Sequence, residues 1–293
     1  MNKKRNIFLI ILAFIVSTFF AIILTNYYIN KKQKELLNSI YESTHKNIFE
    51  KTQNLINDKQ NTSLAIAISL SKDETLYTHL KNKDFEKLNY VKIAKLIETN
   101  SKYKNIWIQI FDSNLNSVYR SWTNIRGSLN FRPDLKKVEA LKNISTSISA
   151  GLFNIGIKAR TPIFDENNNF YGALEVVTHF DSITEDLVKN NISPVVIGDK
   201  SIRKNLTNPL LSKLFIDDYY IANENVDMNL YKYIKENGVE KYINIDNFII
   251  ENGYLISKYP LFDENGNNLA YIINFMELKS INLENIKHIK IQT

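Results

Sequence analysis

The sequence predicts an α+β protein: an amino-terminal transmembrane helix that continues into a long stalk helix, then two small antiparallel sheets in tandem. Three observations carry the prediction. Residues 7–24 form an apolar run without a charge, and the apolar character continues through Tyr27, Tyr28 and Ile29. From Lys31 to about Leu70, apolar residues recur at spacings of three and four. Pro162-Ile163-Phe164-Asp165-Glu166-Asn167-Asn168-Asn169 then returns 98 residues later as Pro260-Leu261-Phe262-Asp263-Glu264-Asn265-Gly266-Asn267. That period is too long for a solenoid unit and fits a small domain of roughly 100 residues used twice.

The apolar run is long enough to cross a bilayer as a helix, so residues 7–29 are assigned as a membrane anchor. Lys3, Lys4 and Arg5 precede it, which leaves residues 1–6 as a cytoplasmic tip and sends the chain after Asn30 outward. A cleaved signal peptide is the alternative; its apolar core would be shorter, and Phe19 and Ala21 are the best cleavage-site pair on offer. No second run of this length follows, so the chain is expected to cross once and end outside. With 293 residues there is room for about two domains and a connecting helix. The absence of cysteine rules out disulfides and thiolate metal sites, so the exported part must rest on its own core. The net charge of +6 is spread along the chain and interleaved with acids, which describes a solvated surface and no nucleic-acid partner.

Residues 30–70 read as a stalk helix with Leu36, Leu37, Ile40, Ile48, Phe49, Leu55, Ile56, Leu64, Ile66 and Ile68 on its apolar stripe. No proline before Pro133 forces a break in it. The stripe is expected to pack on the chain's own domains and on the same helix of a second subunit. Residues 84–98 predict a second helix. Strands follow at 106–111, 117–122, 145–153, 156–162 and 170–180, with a polar insert and a short helix at 135–141 between the second and third. Five strands with helices before and within them describe an antiparallel sheet of PAS-like type. Asp181 is placed as the N-cap of a linking helix. A smaller second copy is expected after Pro194: strands at 194–198 and 218–223, a helix at 228–236 ended by Gly238, and hairpins over 242–275.

The anchor, the long helix, Ile106-Trp107-Ile108-Gln109-Ile110-Phe111-Asp112, and the repeated hairpin closed by Phe170-Tyr171-Gly172-Ala173-Leu174-Glu175-Val176 together resemble the double Cache sensor module of bacterial receptors. The resemblance covers roughly residues 31–281. It implies two PAS-like subdomains on one long helix: a membrane-distal, ligand-binding one at 71–190 and a membrane-proximal one at 191–281, with 282–293 as a tail. It also implies the bacterial inner (cytoplasmic) membrane, with the bulk of the chain periplasmic. Such receptors carry a second membrane helix and a cytoplasmic output, whereas here only residues 276–289 offer a helix that would lead into a second span. The expectation is therefore a sensor without its own output, signalling through a partner membrane protein or by homodimerising along the stalk, with lipid contacts at residues 7–29.

Strand alternation puts Trp107, Gln109 and Phe111 on one face and lets a hairpin bring Arg120 and Trp122 beside them. Aromatic walls with one guanidinium suit a small carboxylate, because Arg presents a planar fork of donors. The competing reading makes both tryptophans core residues and Arg120 a solvated partner of an acid. Glu175 shares a face with Ala173, Val177 and His179, so it is either exposed or paired. Arg132 and Asp134 lie in the insert that covers the pocket in such folds, and Lys158 and Arg160 lie on a central strand; for each, a surface charge is the commoner role. Amino-acid-binding members of the family hold the amine with an aspartate near the end of the Glu175 strand, where this chain has Val177 and Thr178, so amino-acid recognition does not carry over.

Catalysis finds no foothold. His45, His79, His179 and His288 are scattered over stalk, loop, strand end and tail without metal-ligand spacing, and there is no phosphate loop or nucleophile elbow. Asp165-Glu166 and Asp263-Glu264 belong to turns. No catalytic residue, metal or cofactor is assigned. The readings in order are a sensor of a small molecule, a structural or interaction protein that keeps the architecture without a ligand (a truncated receptor included), and last an anchored hydrolase. Tyr242, Tyr254 and Tyr259 in the second copy are expected to serve packing.

Overall fold

The computed structural model describes residues 2–281, with side chains from residue 7 onward. Helix α1 runs Asn2–Ser71 and is followed by α2 (Thr75–Asn82) and α3 (Tyr90–Asn100). The first sheet uses β1 (Trp107–Asp112), β2 (Asn116–Arg120), β3 (Gly127–Ser128), β4 (Ser145–Ala150), β5 (Ile155–Phe164) and β6 (Phe170–Thr178), with α4 (Pro133–Leu141) inserted. Helix α5 (Asp181–Val188) leads to β7 (Ile192–Gly198), β8 (Phe215–Ile216) and β9 (Tyr219–Ile221). Helices α6 (Met228–Asn237) and α7 (Val239–Ile243) precede β10 (Phe248–Glu251), β11 (Tyr254–Phe262) and β12 (Asn268–Glu277).

The expected duplication is topological as well as local. The first sheet is ordered β3-β2-β1-β6-β5-β4 and the second β8-β9-β7-β12-β11-β10, with every pairing antiparallel. In each, the first strand pairs with the last, the last with its hairpin partner, and a short edge strand lies outside. The β5/β6 and β11/β12 hairpins slip register at the same place, between Ile163 and Phe164 and between Leu261 and Phe262. Their turns share one mechanism: Asp165 accepts from the amides of Asn167 and Asn169, both at 2.8 Å, and Asp263 from those of Asn265 at 2.8 Å and Asn267 at 2.9 Å. Asn168 and Gly266 occupy the equivalent left-handed position, at φ 60° and 82°. Asp165→Ala and Asp263→Ala are each expected to lower the urea midpoint, because each removes the acceptor that closes its turn. A near-zero cost at one and not the other would show the two turns to be mechanically different.

One compact unit, Ile48–Glu277, holds both sheets, and α1 up to Asn47 falls outside it. The apolar residues of 7–24 are exposed, and this is the one stretch among the described residues long and apolar enough to span a bilayer. From Ile48 on, the buried stripe of α1 is Ile48, Thr52, Ile56, Lys59, Ser63 and Ala67, which is half polar and differs from the apolar stripe expected. The polar members are there to pair across the interface: Thr52 with Asn274 of β12 at 3.4 Å, Lys59 with Ser182 of α5 at 2.7 Å, and Ser63 with Thr178 of β6 at 2.8 Å.

Five local expectations are corrected. The helix placed at 84–98 is a 3-10 turn (Phe85–Leu88) and α3, separated by Asn89 at φ 51°. Asp181 lies inside α5 without capping it; its carboxylate accepts from the Glu224 amide at 2.8 Å, a tertiary contact that outweighs the local cap. Tyr242 sits in α7, fully buried against Phe275, and does not start a hairpin. His79 belongs to α2 and bonds Asp84 at 2.7 Å. Met276 and Glu277 end β12, so the helix placed at 276–289 does not begin there; its remainder and His288 lie outside the described residues.

Candidate functional site

Register alone builds the face that carries the site. Directly opposed residues of an antiparallel pair share a side of the sheet. Arg120 of β2 faces Gln109 of β1, which faces Glu175 of β6, which faces Arg160 of β5, which faces Ser145 of β4. Two residues along, Trp107, Val177, Lys158 and Ser147 make the next row. The insert then sets Arg132 and Asp134 over these rows. Arg132 is extended, as a residue before proline must be, and Pro133 opens α4. That places Asp134 in the first turn, where the helix dipole favours an acid.

All eight residues singled out in the sequence, Trp107, Gln109, Arg120, Trp122, Arg132, Asp134, Lys158 and Glu175, line one cavity of about 660 Å³. Another part of its wall comes from the second copy, through Ser201, Ile202, Lys204 and Asn205 of the β7–β8 connection and through the β11/β12 turn and the start of β12, from Asp263 to Leu269. The expectation that Arg132, Asp134, Lys158 and Arg160 are surface charges is corrected: they are 7, 4, 4 and 0 % exposed.

The charged groups form a closed network and a remainder. Arg132 forks onto Glu175 at 3.1 and 2.6 Å and onto Asp134 at 3.0 and 2.6 Å. Arg160 bonds Glu175 at 2.8 Å, Ser147 at 3.1 Å and the Asp134 carboxylate. Burial would raise both acids, but the two guanidiniums hold Glu175 down at about 2 and Asp134 lower still. Both carboxylates are thus committed to arginines. Lys158, by contrast, makes no hydrogen bond or ion pair among the described residues, and burial, helped by the charge of Arg132, brings its ammonium down to about 7. Burial, with the repulsion of Arg126, likewise lowers Arg120 to about 10.

The aromatic wall is built by stacking. Trp107 and Trp122 lie parallel, 4.6 Å apart with 9° between planes, and Phe153 stands edge-on to both at 6.4 and 6.0 Å. The Arg120 guanidinium is 5.2 Å from the Phe153 ring. Four buried donors on lining residues have no hydrogen-bond partner: Gln109 Nε2, Arg120 Nε, Trp122 Nε1 and Asn154 Nδ2. A buried donor left unpaired costs about 1–3 kcal/mol.

Sequence reasoning missed Phe153, Asn154 and the turn of the second hairpin. Phe153 lay at the end of a predicted strand, and its aromatic character was the available signal. The turn is 98 residues from its equivalent, and nothing local says that only the second copy reaches the first sheet's cavity. No His, Cys, Asp and Glu group able to hold a metal occurs among the described residues.

The strand orders and the long amino-terminal helix define an α+β architecture of two antiparallel sheets of like topology in tandem. Among solved structures the chain is similar to the sensor domain of the histidine kinase DctB of V. cholerae, at 13% identity over 80% of this chain and 96% of that one, with a TM-score of 0.46. It is similar to a domain of a sensory box/GGDEF family protein from Vibrio parahaemolyticus, at 14% identity, 83% and 98% coverage and a TM-score of 0.47. The sensory domain of the Campylobacter jejuni chemoreceptor Tlp3 is a third, at 17% identity, 84% and 98% coverage and a TM-score of 0.41. No family model matches the chain, and no curated protein does.

Proposed function

We propose that this chain is a membrane-anchored, extracytoplasmic sensor module that binds a small organic carboxylate in the cavity of its first sheet. The observation that carries the reading is the set of unpartnered donors, Gln109 Nε2, Arg120 Nε, Trp122 Nε1 and Asn154 Nδ2, on the same walls as the uncommitted Lys158 ammonium. A carboxylate supplies acceptors and a negative charge to such a site, and the tryptophans cover its apolar part. An amine would need a free carboxylate, whereas Asp134 and Glu175 are each held by both Arg132 and Arg160. In this reading Lys158 and Arg120 hold the carboxylate, Gln109, Trp122 and Asn154 orient it, and Arg132, Asp134, Arg160 and Glu175 form the rigid floor. Residues 7–29 anchor the module with its amino terminus inside, and signal leaves through the stalk or a partner protein.

The test is a thermal melt of the full chain in detergent micelles against a panel of small mono- and dicarboxylates. A ligand at about a hundred times its Kd adds roughly 2.7 kcal/mol, which raises Tm by about 5–10 °C in a protein of this size. Arg120→Ala is expected to remove that rise. A panel that produces no rise, or a rise that survives Arg120→Ala unchanged, rejects the carboxylate reading.

A further inference from the structure

Behind the cavity, on the other side of the end of β2, lies a second and more open groove of about 1310 Å³ between α3 and the segment running from Val118 to Arg126. Its charge is one-sided. Lys83, Lys87, Lys92, Lys95, Arg120 and Arg126 line it, against only two acids, Asp84 and Glu86. Asp84 is already held by His79 at 2.7 Å and Lys87 at 2.8 Å. Between the cations the floor is apolar and aromatic: Val91 and Leu96 of α3 are 60 and 53 % exposed, and Val118, Tyr119 and Trp122 complete it. Large exposed aliphatic side chains ringed by cations describe a contact surface better than a solvated one.

We propose that this groove docks an acidic, partly apolar peptide segment of a partner protein and that its affinity is set by what occupies the ligand cavity. Charge complementarity selects the occupant: acids answer the lysines of α3, and apolar residues cover Val91 and Leu96. A second copy of this chain would bring like charge against like and is disfavoured for the same reason.

The link to the cavity is a shared wall. Arg120 and Trp122 line both spaces, and between them Ser121 is pinned to β1 by its amide on the Ile108 carbonyl at 2.9 Å and its hydroxyl accepting from the Ile108 amide at 2.9 Å. From the cavity side, Arg120 donates to the Ile125 carbonyl. From the groove side, Arg126 donates to the same carbonyl at 3.1 Å, to that of Thr123 at 2.6 Å and to that of Val118 at 3.0 Å. One carbonyl therefore joins the ligand-facing guanidinium to the one that rims the groove. A carboxylate guest competes for Arg120, and each bond it takes loosens the 123–126 loop that carries Arg126. This coupling rests on the carboxylate reading of the cavity; the docking does not.

The experiment uses the full chain in detergent micelles and a fluorescent helical peptide of about twenty residues made of Glu and Leu, with a Gln and Leu version as control, read by anisotropy. The Glu peptide is expected to bind, to weaken as salt rises from about 20 to 150 mM, and to lose at least about tenfold in affinity in Lys92→Glu/Lys95→Glu, whose side chains are exposed and bear no part of the core. Equal binding of the Gln peptide, or no loss in the double variant, overturns the docking. An acid that raises Tm is then added at saturation: a change in peptide affinity of threefold or more supports the shared wall, and no change overturns the coupling. Should no acid raise Tm, the cavity reading fails while the peptide measurements still decide the docking.

Discussion

Replacing Arg160 by Met is expected to cost the fold about 3–5 kcal/mol, read as a lower urea midpoint, because it strands buried charge. Arg160 is fully buried and bonds Glu175, Asp134 and Ser147 at once. Without it, two carboxylates that are 1 and 4 % exposed share Arg132 alone, and the Glu175 carboxyl rises from about 2 as one of its two guanidinium partners is lost. The double variant Arg160→Met/Glu175→Gln removes one charge of each sign and is expected to recover part of the loss. A single variant within about 1 kcal/mol of the parent would mean that the network is solvated and its burial in this architecture is wrong.

The second large effect is on binding. The affinity for an organic acid is expected to fall by up to about tenfold per pH unit above pH 7, because the Lys158 ammonium titrates at about 7 in the free protein. Below that pH the ammonium is charged and meets the carboxylate directly. A bound anion raises its pKa, so above pH 7 binding must take up a proton, and the affinity declines until the raised pKa is reached. Calorimetry in buffers of different ionisation enthalpy reads that proton, and Lys158→Met is expected to abolish both the uptake and the slope. A flat profile from pH 6 to 9 would remove Lys158 from the site. The same lysine acts oppositely on the empty protein: between about 7 and 10.5 the unfolded chain holds a proton that the folded one lacks, so its contribution to stability rises with pH. Lys59, brought to about 7 by burial, acts in the same direction.

The cavity walls were legible in the sequence because a two-residue period and one hairpin place Arg120 beside Gln109 and Trp122 beside Trp107. The repeated Pro-apolar-Phe-Asp-Glu-Asn stretch was legible because an Asx turn is written in four or five consecutive residues. What escaped depends on long-range contact. Nothing near Asp181 announces the Glu224 amide, so its ordinary role as a cap was assigned. Thr52, Lys59 and Ser63 broke the apolar stripe of α1 because their partners lie 222, 123 and 115 residues away. Tyr242 and its neighbours have strand-forming composition, yet packing on Phe275 is served by a short helix. Arg132 and Arg160 look solvated until the fold brings the same two carboxylates to both.

The second hairpin's turn, Asp263–Leu269, forms part of the wall of the first sheet's cavity. That makes the two copies a host and its stopper, and sets a limit on modularity. A fragment cut after α5 retains the row from Arg120 to Arg160 but leaves one side of the chamber open to solvent. Exchanging the copies, or grafting the first onto a foreign scaffold, transplants the donors without their enclosure. The smallest unit that can be moved between proteins with the cavity's enclosure intact is therefore the pair.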